Sequence, residues 1–227
     1  MTSTEASEPP LAQWSVELVP QDDEGMAFYL AHCRPFRLKM LQDEPSAYGS
    51  TFARESAFDD KVWRTRAINR RVRTFVAIRR HVDDEKQTTT TTTVLSSLSL
   101  WGPTFIEAED RDDLISAAQA KRHAMETREN SQEEQRPLLK WDVAGMYTDK
   151  DSRREGIGAT VLEAASQYAI RESEALGADC VVSLEITAAN SGARTFYEKS
   201  GFKFLGVGDE GNLRFTRLMH GTDGIDE

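Results

Sequence analysis

The sequence predicts a mixed α/β domain, one central sheet flanked by helices, on three observations. The first is a strand–turn–helix–strand unit in the last third of the chain. There "LLKWDVAGMY" is followed by a Gly-x-Gly turn, an apolar stripe at helical spacing and the buried run "CVVSLEIT". The second is a pair of strands after that unit, "FKFLGV" and "NLRFTRLM", joined by the glycine-rich "GDEG", which is hairpin chemistry and therefore antiparallel. The third is composition: 227 residues with 39% hydrophobic and 29% charged side chains can bury the core of one decorated domain.

The elements follow in order. Residues 1–10, small, polar and closed by Pro9 and Pro10, read as a disordered N-terminus, with the domain over 11–220 and a flexible tail over 221–227. Trp14, Val16 and Leu18 alternate with Ser15 and Glu17, the period of a half-buried strand. Pro20 and an acidic run then open a helix with Met26, Tyr29, Leu30, Cys33, Leu38 and Leu41 as its stripe and a kink near Pro35. "QDEPSAYGS" ends it. A second helix, capped by Asp59 or Asp60, is expected to carry Val62, Trp63, Ala67 and Ile68 inward. "RTFVAIRR" and "VLSSLSLWG" are buried strands separated by a low-complexity loop over 81–93. The charged, alanine-containing stretch over 103–138 reads as an insertion. Val161, Leu162, Ala164, Ala165, Tyr168, Ala169 and Leu176 define the long helix, stopped by Gly177, and "NSGARTFYEKSGF" is a shorter helix stopped by Gly201.

Charge and cysteine content narrow the function. A net charge of −10 argues against nucleic acid, which needs a dense basic face, and "WRTRAINRRVR" fits the solvated side of a helix running into a strand. The same acidity tolerates or attracts a cationic substrate such as an amine. Cys33 and Cys180 lie far apart without a Cys-x-x-Cys or Cys/His cluster, and His32, His81, His123 and His220 have no metal spacing. No disulfide framework and no metal are expected. The polar, acidic start and the lack of an 18-residue apolar run point away from secretion and membranes, so a cytoplasmic protein is expected, with the nucleus compatible.

"RREGIGA", Arg153 to Ala159, is the chemical centre. The turn opens a helix, whose first N–H groups are unpaired and lie at the positive end of the macrodipole, so it suits an anion. A ligand-free strand-to-helix turn is the competing reading. A nucleoside-triphosphate loop fails, because Ala159 follows Gly158 where that loop needs a lysine. A dinucleotide fingerprint is weak, because Val161 stands where close helix–strand packing wants a small residue, although Glu174 or Asp179 could serve as its acidic partner. The pattern Gln/Arg-x-x-Gly-x-Gly/Ala is met by Arg153, Gly156 and Gly158.

Here the chain resembles the GNAT N-acetyltransferases, which use that turn for the pyrophosphate of acetyl-coenzyme A. "GMYTDKDSRREGIGATVLEAA" looks like the family's fourth strand, turn and helix, and "AANSGARTFYEKSGF" looks like its Asn-x-x-Ala-x-x-x-Tyr-x-x-x-Gly-Phe segment. "RLKMLQDEPSAYGS" and the tryptophan helix after it resemble the first helices of many members. The resemblance implies a mostly antiparallel sheet whose fourth and fifth strands diverge around the coenzyme, and direct acetyl transfer to an amine in a monomer or homodimer. Two departures stand out: Arg154 replaces a frequent glycine and Lys150 a frequent proline.

What the resemblance implies for the site is specific. Met146, Tyr147 and Thr148 supply backbone N–H groups to the pantetheine arm and the thioester oxygen. Arg153, Arg154, Glu155, Gly156, Ile157, Gly158 and Ala159 form the pyrophosphate turn, with Asn190 and Ala193 on the coenzyme as well. Tyr197 protonates the departing thiolate, since a phenol with a pKa near 10 suits that task. Core packing is its competing role, and Phe196 beside it is expected to take that role instead. Glu185 is the first candidate base and Asp142 the second, provided burial raises a carboxyl pKa. Loss of the amine proton through water is the third route. Cys180 is not read as a nucleophile, having no histidine nearby. A coenzyme-binding module without catalysis and a dinucleotide oxidoreductase remain as alternatives.

Overall fold

The structure is a computed structural model that describes residues 14–82, 90–107, 136–208 and 210–219. Seven strands form one sheet in the order β1-β2-β3-β4-β5-β7-β6: β1 (Trp14–Leu18), β2 (Val72–Val82), β3 (Thr90–Ile106), β4 (Leu138–Thr148), β5 (Asp179–Ile186), β6 (Lys203–Val207) and β7 (Leu213–Met219). Every adjacent pair is antiparallel except β4 and β5. That one parallel pair is the expected crossover unit, because a helix must carry the chain back across the sheet between them. It also excludes the all-parallel sheet of a dinucleotide oxidoreductase.

The crossover helix, α5 (Ile157–Ala175), buries Val161, Leu162, Ala165 and Ala169 of the expected stripe together with Ile157 and Ile170, while Ala164 and Tyr168 are half-buried. Leu176 was expected on that stripe but is 58% exposed, since it lies past the last helical turn beside Gly177. This face packs with Phe75, Leu98, Trp141, Val182 and Phe215 into the larger core. The opposite face of the sheet is covered by α1 (Asp23–Phe28), a wide turn over Tyr29–Cys33 and α2 (Arg34–Asp43), which build a second core from Cys33, Phe36, Met40, Leu41, Val76 and Ile78.

The stripe of α2 differs from expectation. The wide turn ends where Pro35, inside the first turn of α2, has no N–H to continue the ladder. From Cys33 the inward positions are then Phe36, Met40 and Leu41, three, seven and eight residues on, which turns Leu38 to the flank. A short α3 (Phe52–Ser56), absent from the sequence reading, is capped by Thr51, whose hydroxyl accepts from the Arg54 N–H at 3.2 Å. In α4 (Asp60–Ala67) the Asp59 carboxylate accepts from the Val62 N–H at 2.9 Å, which makes Asp59, of the two expected candidates, the cap. Its single inward anchor is Trp63, fully buried; Val62 and Ile68 are exposed, because a two-turn helix lying on a surface presents only one narrow stripe. Leu18 at the end of β1 is exposed as well.

Two expected segment limits move. The threonines Thr90–Thr93 belong to β3, where Thr93 pairs with Arg79 and Thr90 with Val82, so strand structure enters the expected 81–93 loop from both sides. β3 likewise runs to Ile106, past the expected start of the 103–138 insertion. The N-terminal segment 1–10, the tail 221–227 and most of the insertion lie outside the described residues.

Candidate active site

Strands β4 and β5 run side by side only from Leu138, opposite Asp179, to Val143, opposite Leu184. Beyond that pair they part, leaving the β5-facing edge of β4 open from Ala144 to Thr148. A bulge marks the same place on the other edge. Ser97 pairs with Tyr147 and Ser99 with Ala144, so Gly145 and Met146 together face Leu98 alone. Gly145 takes φ +58°, the left-handed conformation that such a bulge asks of its first residue.

The gap opens into a cavity of about 740 Å³. Its walls are the end of β4, the turn into α5, and α6 (Ser191–Lys199), whose start is capped by the Asn190 side chain accepting from the Ala193 N–H at 2.9 Å. Helix α5 makes its first internal bond from the Thr160 N–H to the Gly156 carbonyl, 3.0 Å. The N–H groups of Ile157, Gly158 and Ala159 therefore precede the helical ladder and stand at its positive end, beside the cavity. Gly156 has φ +78°, and a Cβ on Gly158 would fall 2.8 Å from Thr148 Oγ1 and 3.4 Å from Met146 Cε. Turn and strand end thus meet with no room for a side chain between them.

The structure brings nearly all the predicted coenzyme residues together. Met146, Tyr147, Thr148, Arg153, Arg154, Gly156, Ile157, Gly158, Ala159, Asn190, Ala193 and Tyr197 all line this cavity. Glu155 does not; its carboxylate faces Arg79 of β2 at 3.9 Å. Arg153, the first residue of the motif, is already engaged. Its Nε donates to the Thr148 carbonyl at 3.0 Å, a terminal nitrogen donates to Glu44 at 2.6 Å, and its guanidinium lies 5.5 Å from the Tyr147 ring. It straps the end of α2 to the end of β4. Arg154, with φ +69°, is the only non-glycine residue at positive φ among the described residues.

Tyr197 corrects the expected division of labour with Phe196. It is Tyr197 that is 6% exposed and packs against Phe202 in the core, while Phe196 is half-buried; both reach the cavity wall. The Tyr197 hydroxyl donates to the Met146 sulfur at 3.4 Å. Burial, with a smaller contribution from Tyr48, pushes its pKa well above the ordinary phenol value. Packing and cavity access coexist because one side of the ring lies on the core and its oxygen faces Met146.

Neither candidate base reaches the cavity wall. Glu185 is exposed on β5, opposite Arg214 of β7, and Asp142 is half-buried beside the Lys140 ammonium at 3.2 Å. Glu185 is left outside because alternate β5 side chains point to opposite faces and the inward places go to Leu184 and Ile186. Cys180 is buried and its pKa is pushed up to about 11 by that burial, the opposite of an activated thiolate. Among the described residues no group of three or more His, Cys, Asp or Glu could hold a metal, and no helix is long and apolar enough to cross a membrane.

Sequence reasoning missed the α2 side of the cavity. Glu44 and Tyr48 line it, and the Tyr48 hydroxyl donates to the Met146 carbonyl at 3.0 Å. Both lie about a hundred residues before their partners, Arg153 for Glu44 and Met146 for Tyr48, in "QDEPSAYGS", which the sequence marks only as a helix end. Gly192, Lys199 and Ser200 were missed too, and only Asn190, Ala193 and Tyr197 of that segment carried a motif.

Residues 102–204 match the family model described as the acetyltransferase (GNAT) domain, a span from the end of β3 through the turn into α5 and α6 into β6. That match covers a little under half of the chain and marks this span as similar to an acetyltransferase domain, an acyl-transferring class. A crystal structure of an acetyltransferase of the GNAT family from Streptococcus pneumoniae is similar in fold, with a TM-score of 0.56 at 12% identity over 92% of this chain and 100% of that one. Ribosomal-protein-alanine N-acetyltransferase from Brucella melitensis is similar with a TM-score of 0.52 at 14% identity, covering 90% of this chain and 99% of that one. At such identities the likeness is one of fold. A search of curated proteins found no match.

Proposed function

We propose that the protein is an N-acetyltransferase that moves the acetyl group of acetyl-coenzyme A directly to an amine in the cavity between β4 and β5. The observation that carries this reading is the convergence of the unpaired N–H groups of the α5 turn, the open edge of β4 and the Tyr197 phenol on one cavity. The pyrophosphate lies on the N–H groups of Ile157, Gly158 and Ala159, where the helix dipole and the closeness of Gly158 to Thr148 suit a phosphate held against backbone. Asn190 and Ala193 face the coenzyme from α6. Backbone N–H groups in the Met146–Thr148 stretch polarise the thioester oxygen.

The amine nitrogen attacks the thioester carbon, the C–S bond breaks, and the sulfur takes the hydroxyl proton of Tyr197. Burial keeps that phenol protonated in the resting protein. The same dry surroundings penalise a departing thiolate and raise its basicity, which favours the transfer. The amine's own proton leaves through water and returns to Tyr197, since the one carboxylate on the described cavity wall, Glu44, is committed to Arg153.

A panel of amines assayed for coenzyme thiol release tests this. Tyr197→Phe is expected to lower kcat by about a hundredfold, in the range a positioned general acid supplies. Undiminished turnover removes Tyr197 from the mechanism. Tight binding of acetyl-coenzyme A without turnover of any amine would favour the binding module instead.

A further inference from the structure

We propose that Tyr48 is a positioning residue of the acyl-transfer site, holding the Met146 carbonyl so that the Met146 N–H on the same open edge of β4 is directed at the thioester oxygen. This rests on the reading of the cavity as an acetyl-coenzyme A site.

The geometry begins with the backbone of β4. Ser96 Oγ of β3 donates to the Tyr147 carbonyl at 3.0 Å, which places that carbonyl on the β3 side of the strand. Successive carbonyls of a strand leave in opposite directions, so the Met146 carbonyl leaves on the far side, where β5 has already diverged. There it meets the Tyr48 hydroxyl at 3.0 Å. In a strand the N–H and C=O of one residue leave on the same side, so the Met146 N–H shares this edge. The edge carries an acceptor and a donor, and a thioester oxygen can use only the donor. Tyr48 occupies the acceptor and leaves the donor to the ligand.

Tyr48 is itself held firmly. The Arg37 guanidinium lies 5.6 Å from its ring centre and donates to both oxygens of Glu55, at 3.0 and 2.7 Å. Glu55 is fully buried and takes a third bond from Arg66 at 2.8 Å. Arg37 also closes on the bulge: a Cβ on Gly145 would lie 3.2 Å from one of its terminal nitrogens. The ionic cluster joining α2, α3 and α4 therefore sets the phenol and backs the bulge it bonds. Burial, and secondarily the Glu44 carboxylate, raise the Tyr48 pKa, so the hydroxyl remains a donor at neutral pH.

The test needs no knowledge of the acceptor amine. Acetyl-coenzyme A labelled with ¹³C at the thioester carbonyl is bound to the wild type and to Tyr48→Phe, and the carbonyl stretch is read by infrared difference spectroscopy. The wild type is expected to shift the stretch to lower frequency, and Tyr48→Phe to cut that shift to about half or less, with the affinity for free coenzyme A within about twofold. With any amine that turns over, kcat should fall about tenfold while the KM for acetyl-coenzyme A stays close to wild type. Tyr48→Leu, which also removes the ring edge, should behave alike if the hydroxyl is what matters, and thermal melting of both variants checks that the fold is kept. An unchanged carbonyl shift in folded Tyr48→Phe overturns the proposal alone. A wild type that does not bind acetyl-coenzyme A overturns the functional reading and this proposal with it.

Discussion

Arg154 shows most plainly how one residue can serve two opposed demands. Its φ of +69° is the conformation for which glycine is suited, and an L side chain there costs about 1–2 kcal/mol. Glycine would relieve that strain but lose roughly 0.5–1 kcal/mol to its freer unfolded chain. Arg154→Gly is therefore expected to raise stability slightly, on the order of 0.5–1 kcal/mol in denaturant unfolding, within the range of such backbone exchanges. It should also weaken coenzyme A, because Arg154 lines the cavity while its neighbour Arg153 is tied to Glu44 and Thr148. Stabilisation with unweakened binding would mean that the side chain serves no phosphate. The resemblance that drew attention to this position rested on a missing glycine, and the backbone angle supplies the physical reason for it.

Among the elements, the ionic cluster of α2, α3 and α4 supports the site from behind. Burial alone would raise the Glu55 carboxyl pKa, but the hydrogen bonds from Arg37 and Arg66 outweigh it and bring the value down to about 2 from 4.5. A carboxyl lowered on folding contributes stability that is complete above its unfolded value near 4.5 and lost as pH falls through about 2. Acid titration of the wild type should therefore lose stability across that window. Glu55→Gln, which removes one charge and leaves two guanidiniums facing a buried amide, should cost about 3–5 kcal/mol at neutral pH and flatten the acid limb. An equally steep acid limb in the variant would assign the loss to other carboxylates. Both ends of the cluster were invisible in the sequence: Arg37 and Glu55 are ordinary charged residues in amphipathic stretches, and only the packing of three short helices removes them from water.

At the scale of the whole molecule, the parting of β4 and β5 opens a cavity in an otherwise continuous sheet. A ligand that bridges turn and strand should stabilise the folded chain by mass action, by about 2.7 kcal/mol at a hundredfold excess over its Kd. Thermal unfolding with and without acetyl-coenzyme A measures this. Gly158→Val, which drives carbon atoms into Thr148 Oγ1, should abolish most of the shift while the unliganded protein still melts cooperatively. A full ligand-induced shift in that variant would move the phosphate away from the turn.

The strands and the long helix were legible because their signals are local. The period of two in "WSVEL", the stripe from Val161 to Ala169 and the cap at Asp59 need only neighbouring residues, and the turn into α5 was legible because a motif concentrates its residues in one short stretch. Legibility failed where a side chain's role depends on a distant neighbour. Leu38 gave way to Phe36 and Met40 on the inward face of α2, Glu185 fell on the outward face of β5, and Tyr197, not Phe196, went into the core. In each case residue type and spacing allowed both faces, and packing against the rest of the fold chose one. The sequence by itself determined the mixed sheet with its single crossover and the Gly-x-Gly turn that opens α5, because backbone periodicity and helix-end chemistry are written in adjacent residues. Only the tertiary structure decided that Glu44 and Tyr48 wall the cavity, that Arg153 is a strap and that Glu185 stands outside, because those outcomes depend on which groups two distant segments bring within hydrogen-bonding distance.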